Sequence, residues 1–103
     1  KQVVILPVSN KYLNYSLEIL EFFRKNGIRA SVDQRNDKIG AKIRAAELSK
    51  IPIMLIVGEK ESKDNTVSLR RRFQGNLGQV NYESLAQQLV KEMKNRKRSI
   101  SNS

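Results

Sequence analysis

Two stretches of this chain are apolar without a break: Val3-Val4-Ile5-Leu6-Pro7-Val8 and Ile53-Met54-Leu55-Ile56-Val57. Neither alternates with polar residues, so each reads as a strand buried on both faces. Strands of that kind belong to parallel sheets sandwiched between crossover helices, and the pair commits the chain to an α/β architecture. Pro7 has no N–H to donate and closes the first ladder, while Gly58 ends the second.

The segments between them fit that frame. Ser9 or Asn10 can cap a helix whose stripe is Leu13, Leu17 and Leu20, flanked by Ile19 and Phe23, and Gly27 stops it. Ile28 to Val32 alternates with Arg29 and Ser31, the pattern of a half-exposed strand. After the polar loop Asp33-Gln34-Arg35-Asn36-Asp37, Asn36 or Asp37 can cap a helix to about Ser49 with Ile39, Ile43 and Ala46 inward. Pro52 forbids its continuation.

Residues 59–65 are polar and read as a turn, and Thr66-Val67-Ser68-Leu69-Arg70 alternates as a strand with one wet face. Gly75 and Gly78 punctuate a loop. Asn81 can cap a last helix with Leu85, Leu89 and Met93 on one stripe. Beyond Met93 the chain has no apolar face, so residues 1–95 are expected to form the domain and 96–103 a basic, disordered tail. The order β-α-β-α-β-β-α predicts an α/β sandwich: right-handed crossovers make the early strands parallel, and the short 59–65 connection adds an antiparallel one.

Composition narrows the function. A chain of 103 residues is one domain. It lacks Cys and His, which removes disulfides, thiolate or histidine metal sites, cysteine nucleophiles and Ser-His triads. No glycine precedes Gly27, so the first strand is not followed by a dinucleotide-binding turn, and its end, Pro7-Val8-Ser9, carries no phosphoacceptor carboxylate. No apolar run approaches a membrane span, and no leader pattern is visible. The first strand starts at residue 3, as in a piece of a longer protein. Lys and Arg number 20 against 10 Asp and Glu, a net charge of +10 spread along the chain. A surface of that kind attracts polyanions, nucleic acids above all.

The stretches Asp33-Gln34-Arg35-Asn36-Asp37-Lys38-Ile39-Gly40-Ala41-Lys42-Ile43-Arg44, Lys50-Ile51-Pro52, Val57-Gly58-Glu59-Lys60-Glu61 and Val67-Ser68-Leu69-Arg70 together carry a resemblance. From Val3 to about Met93 the chain resembles the C-terminal anticodon-binding domain of class II aminoacyl-tRNA synthetases, and within that group the threonyl enzymes. The resemblance implies a three-layer-like mixed sheet of about five strands, central strands parallel, with three helices. It implies a parent threonine–tRNA ligase, cytoplasmic and homodimeric, that uses ATP, magnesium and zinc in parts outside this stretch. This stretch would be non-catalytic, without a cofactor or metal of its own, and monomeric. Its partner would be the anticodon stem-loop of threonine tRNA, with no membrane involved.

Base recognition would fall to Glu61, Arg70 and Asn36. A carboxylate can accept both donors on the Watson–Crick edge of an unpaired guanine, and the resemblance puts Glu61 on the middle anticodon guanine. It puts Arg70 on the third base, a uracil. Asn36 matches another base-contacting position, and as a helix cap it has an equally good structural role. Arg35, Lys38, Lys42 and Arg44 would meet the RNA backbone, although Arg35 can instead pair with Asp33 or Asp37. Ile53, Ala41 and Phe73 depart from the family's usual residues. Other readings stay open: a small α/β domain binding a nucleotide or a protein, the corresponding domain of another class II synthetase, or a polymerase accessory subunit.

Overall fold

The computed structural model describes residues 2–101, with side chains from 3 to 94. The two apolar runs form β1 (Gln2–Pro7) and β3 (Ile53–Val57), which pair directly and in parallel, Val3 opposite Ile53 and Pro7 opposite Val57. On the other side of β1 lies β2 (Arg29–Val32), also parallel. Beyond β3 come β4 (Thr66–Arg71) and β5 (Gly75–Asn81), both antiparallel to their neighbours. The sheet order is β2-β1-β3-β4-β5, the expected mixed sheet.

Its two faces are covered unequally. On one face Val3, Ile5, Ile53, Leu55, Val57, Val67 and Leu69 pack against α1 (Leu13–Lys25) and α4 (Tyr82–Ser101). From these helices come Ile19, Phe23, Leu85, Ala86 and Leu89, all buried. Tyr15 donates its hydroxyl to the Thr66 carbonyl (2.7 Å), which fastens α1 to the start of β4, and burial pushes this phenol well above its ordinary pKa. Tyr82 meets the rings of Tyr15 and Phe22 edge-on, at 6.1 and 5.7 Å between centroids, and so locks α4 to α1.

On the opposite face α2 (Ile39–Leu48) alone covers the parallel strands. Val4, Leu6 and Met54 pack with its Ala46, supported by Ile39, Ile43, Ile51 and Ile56. Among the described residues no helix of this length covers the face of β4 and β5 beside it.

Three readings from the sequence need correction. Residues 59–64 are a short helix, α3, rather than a turn, so the described residues hold four helices and not three. Gly58 heads α3, and Glu61, three residues on, accepts the Gly58 N–H (2.8 Å), the returning half of a capping box. Asn65 ends α3 in the left-handed conformation (φ 57°) that asparagine tolerates. Residues 75–81, read as a loop around two glycines, are strand β5. Its ladder absorbs the second glycine in a bulge: Leu69 faces Gly78 and Arg70 faces Asn76, which leaves Leu77 unmatched. The helix N-terminus after β2 begins at Ile39 with Lys38 as its flanking residue, and neither Asn36 nor Asp37 caps it.

At the chain's start Ser9 caps a short 3-10 turn (Asn10–Tyr12), which leads into α1. The last helix was expected to end near Met93 but stays helical in its backbone to Ser101. Of the segment 96–103 read as a basic, disordered tail, the backbone of 96–101 continues α4, and residues 102 and 103 lie outside the described residues.

Phe23 is fully buried between α1 and the sheet, whereas Leu48 is 78% exposed on α2. Phe23→Ala is expected to lower unfolding free energy by about 3–5 kcal/mol, and Leu48→Ala to change it by less than ~0.5 kcal/mol. Urea denaturation curves with equal slopes measure both.

Candidate nucleic-acid interface

In β4 the side chains of Val67 and Leu69 go into the core, so Thr66, Ser68 and Arg70 share the opposite, open face. The register extends this polar strip to β5, where Gln79 faces Ser68 and Asn76 faces Arg70. Gln79 donates its amide to the Thr66 hydroxyl and to Asp64 of α3 (3.3 Å). The strip therefore ties α3 to the sheet with side-chain hydrogen bonds rather than apolar packing.

Glu61 sits at the join. One carboxylate oxygen accepts the Gly58 N–H at 2.8 Å, and the other accepts the Ser68 hydroxyl at 2.9 Å. Each oxygen keeps a further lone pair, since a carboxylate has about four acceptor sites. Gly58 leaves the space for this: a Cβ there would lie 3.2 Å from the Glu61 oxygen and 3.3 Å from a Val8 methyl. Arg70 lies two residues beyond Ser68 on the same strip. Its Nε is buried and has no hydrogen-bond partner, an arginine donor without the acceptor that burial demands. The bulge falls at this step of the ladder, and bulges re-aim the side chains beside them.

The second group of residues lies on the loop after β2. Val8 N–H bonds the Val57 carbonyl (2.8 Å) and Asp33 N–H the Ile5 carbonyl (3.0 Å), so the exits of β2, β1 and β3 lie side by side at one edge. Asp33 holds Arg35 with both oxygens: Oδ1 accepts from the Arg35 N–H (3.1 Å) and Nε (3.0 Å), and Oδ2 from Nη2 (2.9 Å). Asp37 stands 3.9 Å from the same guanidinium. Arg35 thus takes the structural pairing that its neighbours allow. Asn36 is exposed at the head of this loop, and among the described residues its amide makes no hydrogen bond, so it is not spent as a cap. Lys38 and Arg44 are exposed on α2 and its entrance.

Lys42 requires a correction. Grouped by sequence with the cations facing a polyanion, it is in fact 2% exposed. Its ammonium donates to the Pro7 carbonyl (3.0 Å) and the Asp33 carbonyl (3.4 Å). Lys42 holds the ends of β1 and β2 together from beneath α2 and is not on the surface. Lys38 precedes the helix in extended backbone and stays exposed, whereas position 42 falls within α2 on the same face as the buried Ala46 one turn on. Ser68, Thr66 and Gln79 escaped notice as part of the site. For Thr66 and Ser68 the signal was the polar half of the alternation in β4, which marks a wet face without saying what it holds; Gln79 lies in β5, which its glycines disguised as a loop.

Among the described residues no group of three or more His, Cys, Asp or Glu side chains is placed to hold a metal ion. Among the described residues no helix is long and apolar enough to cross a membrane.

The Arg35 hydrogen bonds hold the Asp33 carboxyl below its ordinary pKa, outweighing a smaller opposing effect of burial. A carboxylate with a depressed folded pKa contributes stability above its unfolded value of ~3.9, which is lost as pH falls through the folded value. Asp33→Asn is therefore expected to destabilise the protein at neutral pH. The gap to wild type should close below about pH 4 in denaturation midpoints measured across pH.

Comparison with known proteins agrees with this geometry. The model of the anticodon binding domain family matches residues 2–92. Threonine–tRNA ligase of Bacteroides thetaiotaomicron is 47% identical over 94 residues, 91% of this chain and 15% of that protein. The Clostridioides difficile enzyme is 44% identical over 99 residues, 96% of this chain and 16% of that protein. The crystal structure of the RNA binding domain of threonyl-tRNA synthetase from Cryptosporidium parvum superposes with a TM-score of 0.82 at 26% identity, over 90% of this chain and 23% of that one. The chain thus spans about 15% of the length of the curated relatives it matches. With the family model covering nearly all of it and the expected sheet in place, this chain belongs to the anticodon-binding domain family.

Proposed function

We propose that this chain is the anticodon-reading module of a threonyl-tRNA synthetase and grips the anticodon stem-loop of threonine tRNA. The observation that carries the proposal is the strip of β4, where Ser68 helps fix the carboxylate of Glu61, while Arg70, two residues beyond Ser68, has a buried Nε that lacks an acceptor. In that role Glu61 accepts the ring N–H and exocyclic amine of the unpaired middle guanine. Arg70 supplies donors to the carbonyl oxygens of the third base, and the unengaged amide of Asn36 reads from the neighbouring loop. Lys38 and Arg44 hold the RNA backbone. The parent would be a homodimeric, ATP-dependent ligase working in the cytoplasm, its chemistry done by parts outside this chain.

Electrostatics and readout separate in two experiments. For single-stranded contacts the slope of log affinity against log salt is about −0.7 per neutralised phosphate. Lys38→Ala is expected to flatten that slope by roughly this amount, whereas Lys42→Met should lower stability and leave the slope unchanged, since the ammonium is buried on carbonyls. Anisotropy titrations from low to physiological salt measure both.

Glu61→Gln tests base reading with little risk to the fold. The glutamine oxygen can still accept from Gly58, and its amide can donate to the Ser68 oxygen. Without a base contact the loss of a negative charge strengthens binding to any RNA. With guanine, one donor loses its acceptor, at a cost of ~1–3 kcal/mol. Competition between stem-loops that differ only at the middle anticodon base should show weaker binding of the guanine form and unchanged or tighter binding of the other. Equal strengthening of both complexes sinks the assignment of Glu61.

A further inference from the structure

Phe73 is the most exposed large apolar side chain among the described residues, at 91%. It stands at the tip of the β4–β5 hairpin with φ 71°, a left-handed conformation that is costly for a bulky residue. The tip is nonetheless anchored. Arg72 N–H donates to the Pro52 carbonyl (2.9 Å), and Gln74 N–H to the Arg71 carbonyl (3.0 Å). A pinned turn therefore holds an aromatic ring out in water. The Arg72 guanidinium lies over that ring, 4.4 Å from its centroid. Arg71 is neutralised by Glu92 (3.3 Å), but among the described residues Arg72 has no carboxylate within ion-pair distance.

We propose that Phe73 and Arg72 form a stacking platform for one unpaired nucleobase, the nucleotide that follows the third anticodon base. The inference rests on the anticodon reading above. A protein partner would match Phe73 with apolar surface, yet the ring here comes with an unneutralised arginine at the end of a strip rich in donors. An anionic, flat partner satisfies both, and base–aromatic stacking with an arginine contribution is the usual way to hold single-stranded nucleic acid. The register supplies the position. Ser68, which fixes Glu61, faces Ile56; Arg70 faces Met54; Arg71 faces Ile53; the tip lies beyond. If Glu61 takes the middle base and Arg70 the third, the RNA strand reaches the tip with its next nucleotide.

The test uses the 103-residue chain with Phe73→Ser and Phe73→Tyr. The probes are a threonine-tRNA anticodon stem-loop carrying 2-aminopurine after the third anticodon base, and a blunt RNA duplex of the stem. Wild type and Phe73→Tyr are expected to quench the 2-aminopurine and to bind the stem-loop alike. Phe73→Ser should lose the quenching and bind roughly 5- to 100-fold more weakly, in line with the usual worth of one stacked base. All three should bind the duplex equally and unfold at similar denaturant, because the ring buries nothing. Wild-type quenching and affinity in Phe73→Ser overturn the platform and leave the ring to a protein contact. An equal loss on the duplex overturns it too. A wild-type chain that does not prefer stem-loop to duplex overturns the anticodon reading and the platform with it, whereas a preference that survives Phe73→Ser removes the platform alone.

Discussion

The structure depends on an imbalance of cover. Two long helices, α1 and α4, fill one face of the five-stranded sheet, while on the other α2 spans only the parallel strands. A strand buried on both faces must be apolar throughout, as β1 and β3 are. A strand covered on one face alternates, as β4 does. The β4–β5 half of that face lacks a long helix because its antiparallel strands are joined without a crossover, and the short α3 reaches it through Ser68 and Gln79. Polar side chains can stand there on a rigid backbone ladder, which positions them better than a loop would.

That rigidity extends to the charges. A basic surface binds phosphate whatever the base sequence, so selectivity has to come from groups that are fixed and partly desolvated. Glu61 meets this condition twice over, because the Gly58 N–H and the Ser68 hydroxyl fix both of its oxygens before anything binds. Asp33 does the complementary task on the neighbouring loop. It neutralises Arg35 and shapes the turn, which leaves Asn36 beside it unengaged. Lys42 spends a full positive charge on two backbone carbonyls to hold these exits together. Buried cations are costly when unpaired, and here the carbonyl dipoles at the strand ends supply the compensation.

Much of this was legible in the residues. Unbroken apolar runs revealed β1 and β3, glycine and proline placed the ends of α1 and α2, and alternation showed β4. The errors have physical causes. Residues 59–64 have no apolar stripe, so periodicity is blind to them; the signal lay in the Gly58-x-x-Glu61 spacing, in Glu59 and Lys63 one turn apart (3.6 Å), and in Asn65 as a left-handed stop. In β5, Gly75 and Gly78 look like loop punctuation, because a bulge and a turn ask for the same positive φ as a loop. Lys42 looked like a surface cation because nothing in a helical repeat says which lysine will find carbonyls beneath it. The resemblance to synthetase domains pointed to Glu61 and Arg70, but only coordinates show what holds the one and what the other lacks.

A carboxylate on a surface of net charge +10 is the point where specificity and affinity oppose each other. Every cation nearby helps any RNA to approach, while under the proposed reading Glu61 would repel nearby phosphates whatever the base and be compensated only by a base that offers two donors in the right plane. In that role its energetic effect would be mainly to reject, and rejection works only if the group cannot swing away. Here the hydroxyl of Ser68 acquires its importance. Without it, one oxygen of Glu61 would be free to rotate toward water, and the same charge would weaken all complexes a little instead of most of them a lot.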